Sequence, residues 1–239
     1  MTEAETPPDE HGQRLLPASR TLLLPFTPCR ALRFVLAIWS AALLFSGLHQ
    51  RGVLRDPAQL GNQLSFLSIT GLLVYVMGNY EHTLGAWRDY LLFGPVLVAS
   101  MLTFRWFGQQ ASFHNNLSST AGWDDTATAV YGCTLGAVFV VLLMHVCYTY
   151  RHHPHLFKVY TIAMLLPPGI VGLLYLYASM GENGIVVHVH HWWLSFYVSF
   201  FTRHRWWVSR LAAPIFLGVA VEGIIEARQL ALFIIDLKR

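Results

Sequence analysis

The stretch Val187 to Trp207 reads VHVHHWWLSFYVSFFTRHRWW and sets His188, His190 and His191 at the head of an aromatic run. Imidazole together with carboxylate is an ordinary ligand set for zinc, copper or iron. Carboxylates at a matching depth lie on the next apolar segment. Read as helix, His190 stands thirteen residues before Arg203, about 20 Å along the axis, and His188 about 22 Å. Glu222 is twelve residues past Arg210, about 18 Å, and Glu226 about 24 Å. His49, sixteen residues past Arg33, is also about 24 Å along its own segment. His49, His188, His190, His191, Glu222 and Glu226 therefore form the candidate metal site, in the outer part of a hydrocarbon core about 30 Å thick. On a helix 188 and 191 share a face; on extended chain 188 and 190 do. The competing reading is interfacial anchoring, in which neutral His and the following Trp192 and Trp193 sit among headgroups and bond to neighbouring helices.

Other candidates carry less chemistry. RHHPH, Arg151 to His155, reads as a solvent-near basic loop broken by Pro154. His145 lies about 9 Å along the segment from Arg151 and reads as hydrogen-bonded packing rather than a haem ligand. NYEHTLG, Asn79 to Gly85, resembles one His-bearing box of membrane non-haem iron hydroxylases, but the HxxxH and HxxHH boxes of that family are missing. No GxSxG, Walker A or GxGxxG pattern is present.

The elements that must position these groups follow from composition. Hydrophobic residues make up 54% and charged residues 12%, about half the charged share of soluble domains. Seven apolar segments, about 31–49, 64–80, 89–107, 127–150, 157–180, 185–202 and 209–227, are long enough or nearly so to span a bilayer. The sixth is clear only from Trp192 onward. LALFIIDLKR at the end is too short to span and is expected as an interfacial helix or an extension of the seventh. Pro167 and Pro168 inside the fifth segment free backbone carbonyls that need partners. The acidic, Pro-containing start is neither a signal peptide nor a transit peptide, and residues 1–28 are expected as a disordered cytosolic tail before a transmembrane domain at 29–239.

With the N-terminus cytosolic, ten Lys or Arg (Arg14, Arg20, Arg30, Arg33, Arg88, Arg151, Lys158, Arg203, Arg205, Arg210) face inward, against three (Arg51, Arg55, Arg105) outward before the C-terminal tail. Asn116 then heads a glycosylation sequon in the longest outer loop, 108–126. Cys133 and Cys147, fourteen residues apart on one segment, are too far apart for a disulfide. A net charge of +3, spread over the loops, argues against nucleic acid as a partner.

HVHHWWLSFYVSFFTR followed by SRLAAPIFLGVAVEGI resembles the end of the membrane region of fungal-type LCCL-domain-containing proteins, where an HxHH-aromatic motif precedes a Thr-Arg turn and a Gly-rich final helix. The likeness covers about 45 residues, Ile185 to Gln229. The Cys-containing LCCL domain is absent, Trp192 replaces Tyr, Glu222 replaces an amide, and no Trp-Gly pair follows. What the resemblance implies is a multi-span fold and attention to His188, His190 and His191.

The expectation is an all-α polytopic transmembrane helix bundle of about seven helices, integral to an endomembrane or the plasma membrane. Its partners would be the lipid bilayer and other membrane subunits. Its function would be a His/Glu site for a transition metal (Zn, Cu or Fe) in redox chemistry or transport. The alternatives are a metal-free structural or scaffolding subunit and a membrane non-haem iron hydroxylase. Glu222 is expected to face the sixth segment within reach of one of the three imidazoles, because an isolated carboxylate in hydrocarbon is too costly.

Overall fold

The computed structural model describes residues 27–49, 57–78, 80–84, 86–109, 125–180, 185–189, 191–226 and 233–237. The chain is an all-α bundle. Its helices are α1 (Pro28–His49), α2 (Pro57–Met77), the single turn α3 (Tyr80–Thr83), α4 (Trp87–Gly108), α5 (Asp125–His152), α6 (Pro154–Met180), α7 (His191–Ser199) and α8 (Trp207–Glu226). Two short strands, β1 (Ile185–Val189) and β2 (Phe233–Leu237), accompany them. Six of the helices are long and apolar enough to cross a membrane, which makes this a multi-pass membrane protein. Cys29, Cys133 and Cys147 are all free. The tail to residue 26, the Asn116 sequon and His190 lie outside the described residues.

α8 is the centre of the bundle: 72% of its span is buried inside the protein, against 6% for α5 and 11% for α6. α4 and α7 pack on it most extensively, and α1 links α2 to α4. Apolar side chains gain little from leaving lipid, so close backbone approach and van der Waals contact must hold such helices together. Gly218 supplies one approach. A Cβ there would sit 2.6 Å from the Leu97 carbonyl oxygen and 2.8 Å from Ser100 Cβ on α4. Ser100 Oγ uses this proximity to donate to the Ile215 carbonyl at 2.7 Å. Gly223 supplies another, since a Cβ there would fall 2.4 Å from Trp192 Cβ on α7. Around these crossings Phe34 packs against Tyr75, Tyr80 and Phe93, with ring centroids 5.4, 5.0 and 5.6 Å away.

α6 runs through Pro167 and Pro168 without a break. Pro167 has no N–H for the carbonyl four residues back, Ala163. That carbonyl accepts instead from the Tyr197 hydroxyl of α7. The partner that a membrane demands for a freed carbonyl is thus a side chain from the neighbouring helix.

The sixth expected segment departs from its expectation. It is not helical from Ile185: β1 occupies 185–189 and the helix begins at His191, next to the Trp192 at which the apolar run becomes clear. β1 pairs antiparallel with β2, Ile185 opposite Leu237 and Val189 opposite Phe233. The expected terminal helix is therefore a strand at 233–237. IVVHV and FIIDL are both rich in β-branched residues, which favour extended backbone, and each supplies the other's hydrogen-bond partners. α7, at nine residues, is about 14 Å long, too short to cross a bilayer as helix alone.

Candidate functional site

The bundle has two chemically distinct ends. One holds the C-termini of α1 and α8 and the start of α7. Here His49 closes α1, Glu226 closes α8, His191 opens α7, and His188 lies in β1 opposite Ile234. His190 and the side chains of His49, His188, His191 and Glu226 lie outside the described residues. Glu222 is described, and it is only 4% exposed. The contact of Gly223 with Trp192 sets the adjacent Glu222 level with the first turn of α7, where His191 stands. The depth coincidence between Glu222 and His191 thus holds in the backbone. For His188 the helical count fails, because strand advances about 3.3 Å per residue rather than 1.5 Å.

Polar groups other than Glu222 are buried at this end. Gln63, 6% exposed on α2, donates from Nε2 to the Ile225 carbonyl at 2.8 Å. Ser46 on α1 is 2% exposed. Trp192 is buried with its indole Nε1 lacking a hydrogen-bond partner among the described residues. Among those residues no group of three or more His, Cys, Asp or Glu is placed to hold a metal ion.

The opposite end gathers a His and aromatic cluster that the linear sequence scatters over three segments. His145 on α5 directs Nδ1 to the Val141 carbonyl at 2.7 Å and Nε2 to Ser209 Oγ on α8 at 2.6 Å. A carbonyl only accepts, so Nδ1 carries the proton. The neutral ring then accepts from the Ser209 hydroxyl. Ser209 Oγ in turn accepts from Trp206 Nε1 at 2.9 Å. Thr149 donates its one proton to the His145 carbonyl at 2.8 Å, so His204 Nε2–H donates to Thr149 Oγ1 at 3.0 Å. His153 stacks on His204 with centroids 5.8 Å apart and planes 7° apart, and Tyr148 lies between His204 and Trp206.

A Ser hydroxyl on a His ring is the beginning of a nucleophilic dyad. Here Ser209 is fully buried and His145 is 1% exposed, and every polar atom in the pair is engaged within the protein. The arrangement locks α5, α8 and the 200–206 turn together and offers no access to a substrate. Two further hydroxyls pin the same turn: Tyr80 donates to the Ser199 carbonyl at 3.2 Å and Tyr160 to the Phe201 carbonyl at 2.8 Å. Ser199 ends α7, and its carbonyl also accepts from the Thr202 hydroxyl at 2.8 Å. Burial holds His204 neutral, pushing it down to about 3, and the nearby His145, His153, Arg203 and His152 act in the same direction. Burial and the neighbouring His155, His152 and Arg203 lower His153 as well. Tyr80 is raised by burial, so its proton stays available for donation.

His145 is packed by hydrogen bonds, as its sequence position suggests, but its partners were not visible there. Counting from Arg151 sets His145 about 9 Å deep, whereas Ser209 adjoins Arg210 at the start of α8. At 28 residues, α5 is about 42 Å long against about 30 Å for the 20-residue α8, so Arg151 does not mark the depth at which α8 begins. An α5 pattern longer than a bilayer requires was the available sign. No family model matches the chain, and no curated protein or solved structure matches it either.

Proposed function

We propose that the α7–α8 hairpin carries a His/Glu site in the outer half of the membrane, with Glu222, His191, His188 and His190 as its ligands. The site takes a transition-metal ion, zinc, copper or iron, for redox chemistry or transport. Glu226 and His49, which end their helices on the same side, complete the donor set. The observation that carries this reading is Glu222: a carboxylate 4% exposed on an apolar helix, level with the turn that holds His191. A carboxylate so placed must be protonated, paired or bound to a cation, because ionisation in an apolar medium is otherwise too costly. Metal analysis of the purified protein tests it. The expected result is bound metal in the wild type and markedly less in Glu222→Gln and His191→Ala, with the helical content unchanged. Absence of metal from all three, with equal thermal stability, defeats the reading.

One observation favours a second reading, a metal-free scaffold. Gln63 bridges α2 to the Ile225 carbonyl three residues beyond Glu222, so buried polar groups at this end already join helices. On that reading Glu222 pairs with a neutral imidazole, and Glu222→Gln lowers stability without any metal being involved.

A further inference from the structure

At the end of the bundle opposite Glu222, the last turns of α5 and the turn before α8 border an open groove of about 380 Å³, lined by Met144, Cys147, Tyr148, Arg151, His152 and Trp206. Its volume falls within the range of about 300–1,000 Å³ usual for small-molecule sites. We propose that this groove seats an anionic phospholipid of the surrounding bilayer, with an acyl chain along Met144 and Cys147 and the phosphate at Arg151 and His152.

The order of side chains along α5 matches that of a lipid. Met144, Cys147, Tyr148 and Arg151 are spaced i, i+3, i+4 and i+7, so they make one stripe about 10 Å long on a single helix face. Val140, one turn before Met144 and 53% exposed, continues it into the span. The stripe is apolar within the span and turns cationic only where α5 ends. Tyr148 and Trp206 stack at 5.0 Å with planes 26° apart and form a flat wall beside it. Trp207, next in the chain, is 69% exposed, as Trp is at headgroup depth. No side chain has to move to admit a ligand: Met144, Cys147, Arg151 and His152 are exposed, and Tyr148 and Trp206 are half-buried.

The charge around the groove calls for an anion. Arg151 makes no side-chain hydrogen bond or ion pair with any described residue. Among the described side chains the one carboxylate at this end, Asp89, is held by Arg210 and the Ala86 N–H. Asp125 opens α5, 26 residues and about 39 Å from Arg151. Beside burial, the neighbours that hold His153 neutral are His155, His152 and Arg203, all of positive sign. A guanidinium meets phosphate oxygens in pairs, and an acidic leaflet supplies phosphate at this depth. A soluble anion would use the charged end of the stripe and leave Met144, Cys147 and the aromatic wall without a role.

The test uses the full chain in phosphatidylcholine vesicles that carry a minor share of tail-brominated phosphatidylglycerol or tail-brominated phosphatidylcholine. It reads quenching of Trp206 fluorescence, taken as the difference between wild type and Trp206→Phe. Phosphatidylglycerol is expected to quench at about a fivefold lower share of the lipid than phosphatidylcholine, the preference that one basic side chain gives at an acidic surface. Arg151→Ala, at an exposed position without a partner, should bring that preference close to one with the melting temperature unchanged. Cys147→Phe, also at an exposed position, fills the groove and should weaken quenching by phosphatidylglycerol several-fold. Arg88→Ala, exposed at the same end but outside the groove, should keep the wild-type preference. Equal quenching by the two lipids in the wild type overturns the proposal. So does an equal loss in Arg88→Ala and Arg151→Ala, which is the behaviour of diffuse surface charge, and so does displacement of phosphatidylglycerol by glycerol 3-phosphate at a comparable concentration, which is the behaviour of a soluble-anion site.

Discussion

Arg210 on α8 donates to one oxygen of Asp89 on α4 at 2.5 Å, while the other oxygen accepts the Ala86 N–H at 2.9 Å. One side chain thus begins a helix and ties it to the central one. Removing the carboxylate should cost the cap, about 1 kcal/mol, and also the pair, which is worth under about 1 kcal/mol because Arg210 is 41% exposed. Asn retains an oxygen for the backbone N–H and loses the charge. Thermal unfolding in detergent should therefore rank wild type above Asp89→Asn and Asp89→Asn above Asp89→Ala. Equal melting of the two variants would show that the cap contributes nothing.

Gly218 meets the Leu97 carbonyl and Ser100 Cβ, neither of which can swing aside as a long side chain would. Gly218→Ala should separate α4 from α8 and cost about 1–3 kcal/mol. Gly94→Ala on α4, where nothing lies within 4 Å of the new Cβ, serves as the control and should be neutral or stabilising. A Gly218→Ala protein that melts with the wild type would mean that the crossing is looser than described.

Tyr197 answers the vacancy that Pro167 creates at the Ala163 carbonyl. Ala163 is exposed on the protein surface within an apolar span, so Tyr197→Phe should cost about 1–3 kcal/mol, the penalty for an acceptor left without a partner in lipid. In a Pro167→Ala background the helix can supply its own N–H, so the same change should cost less. A double-mutant cycle measures this coupling, and a coupling of zero would break the link between the two residues.

His204 is neutral in the fold, its pKa lowered from 6.5 to about 3 chiefly by burial. The unfolded chain therefore binds the extra proton and the folded one does not. The stability this group contributes is complete above about pH 6.5 and declines as the pH falls from 6.5 towards 3, by up to about 1.4 kcal/mol per pH unit. Melting temperature against pH should drop more steeply below 6.5 in the wild type than in His204→Gln, which keeps a donor for Thr149 without a titrating ring. Parallel curves would show that His204 is solvated.

The limits of linear reading are clearest in β1. Val and Ile make Ile185–Val189 as apolar as any helix, so hydropathy alone extends the sixth helix over it. The hydrogen-bond partner that decides for strand is β2, with His188 opposite Ile234, far along the chain. α7 accordingly starts at the turn where aromatic residues begin, and His188 leaves the helical face that it would share with His191. The α8 side of the candidate site was more legible, because a regular helix carries depth from Arg210 to Glu222 at a constant rise. The His cluster around His145 was not legible, because two helices of unequal length had to be set side by side before His145 could meet Ser209.

Composition and the lengths of its apolar runs determined by themselves that this chain is a multi-pass helical bundle, and where six of its spans fall. The reason is local: each spanning helix must satisfy its own backbone in lipid, so its length and hydropathy are written within about 20 consecutive residues. Only the tertiary structure decided which side chains share an end. Tyr197 finding the carbonyl freed by Pro167, His145 meeting Ser209, and Glu222 held level with His191 by the close approach of Gly223 to Trp192 all depend on how helices cross. Crossing is set by small residues and by contacts between distant segments, and neither leaves a periodic mark on the sequence.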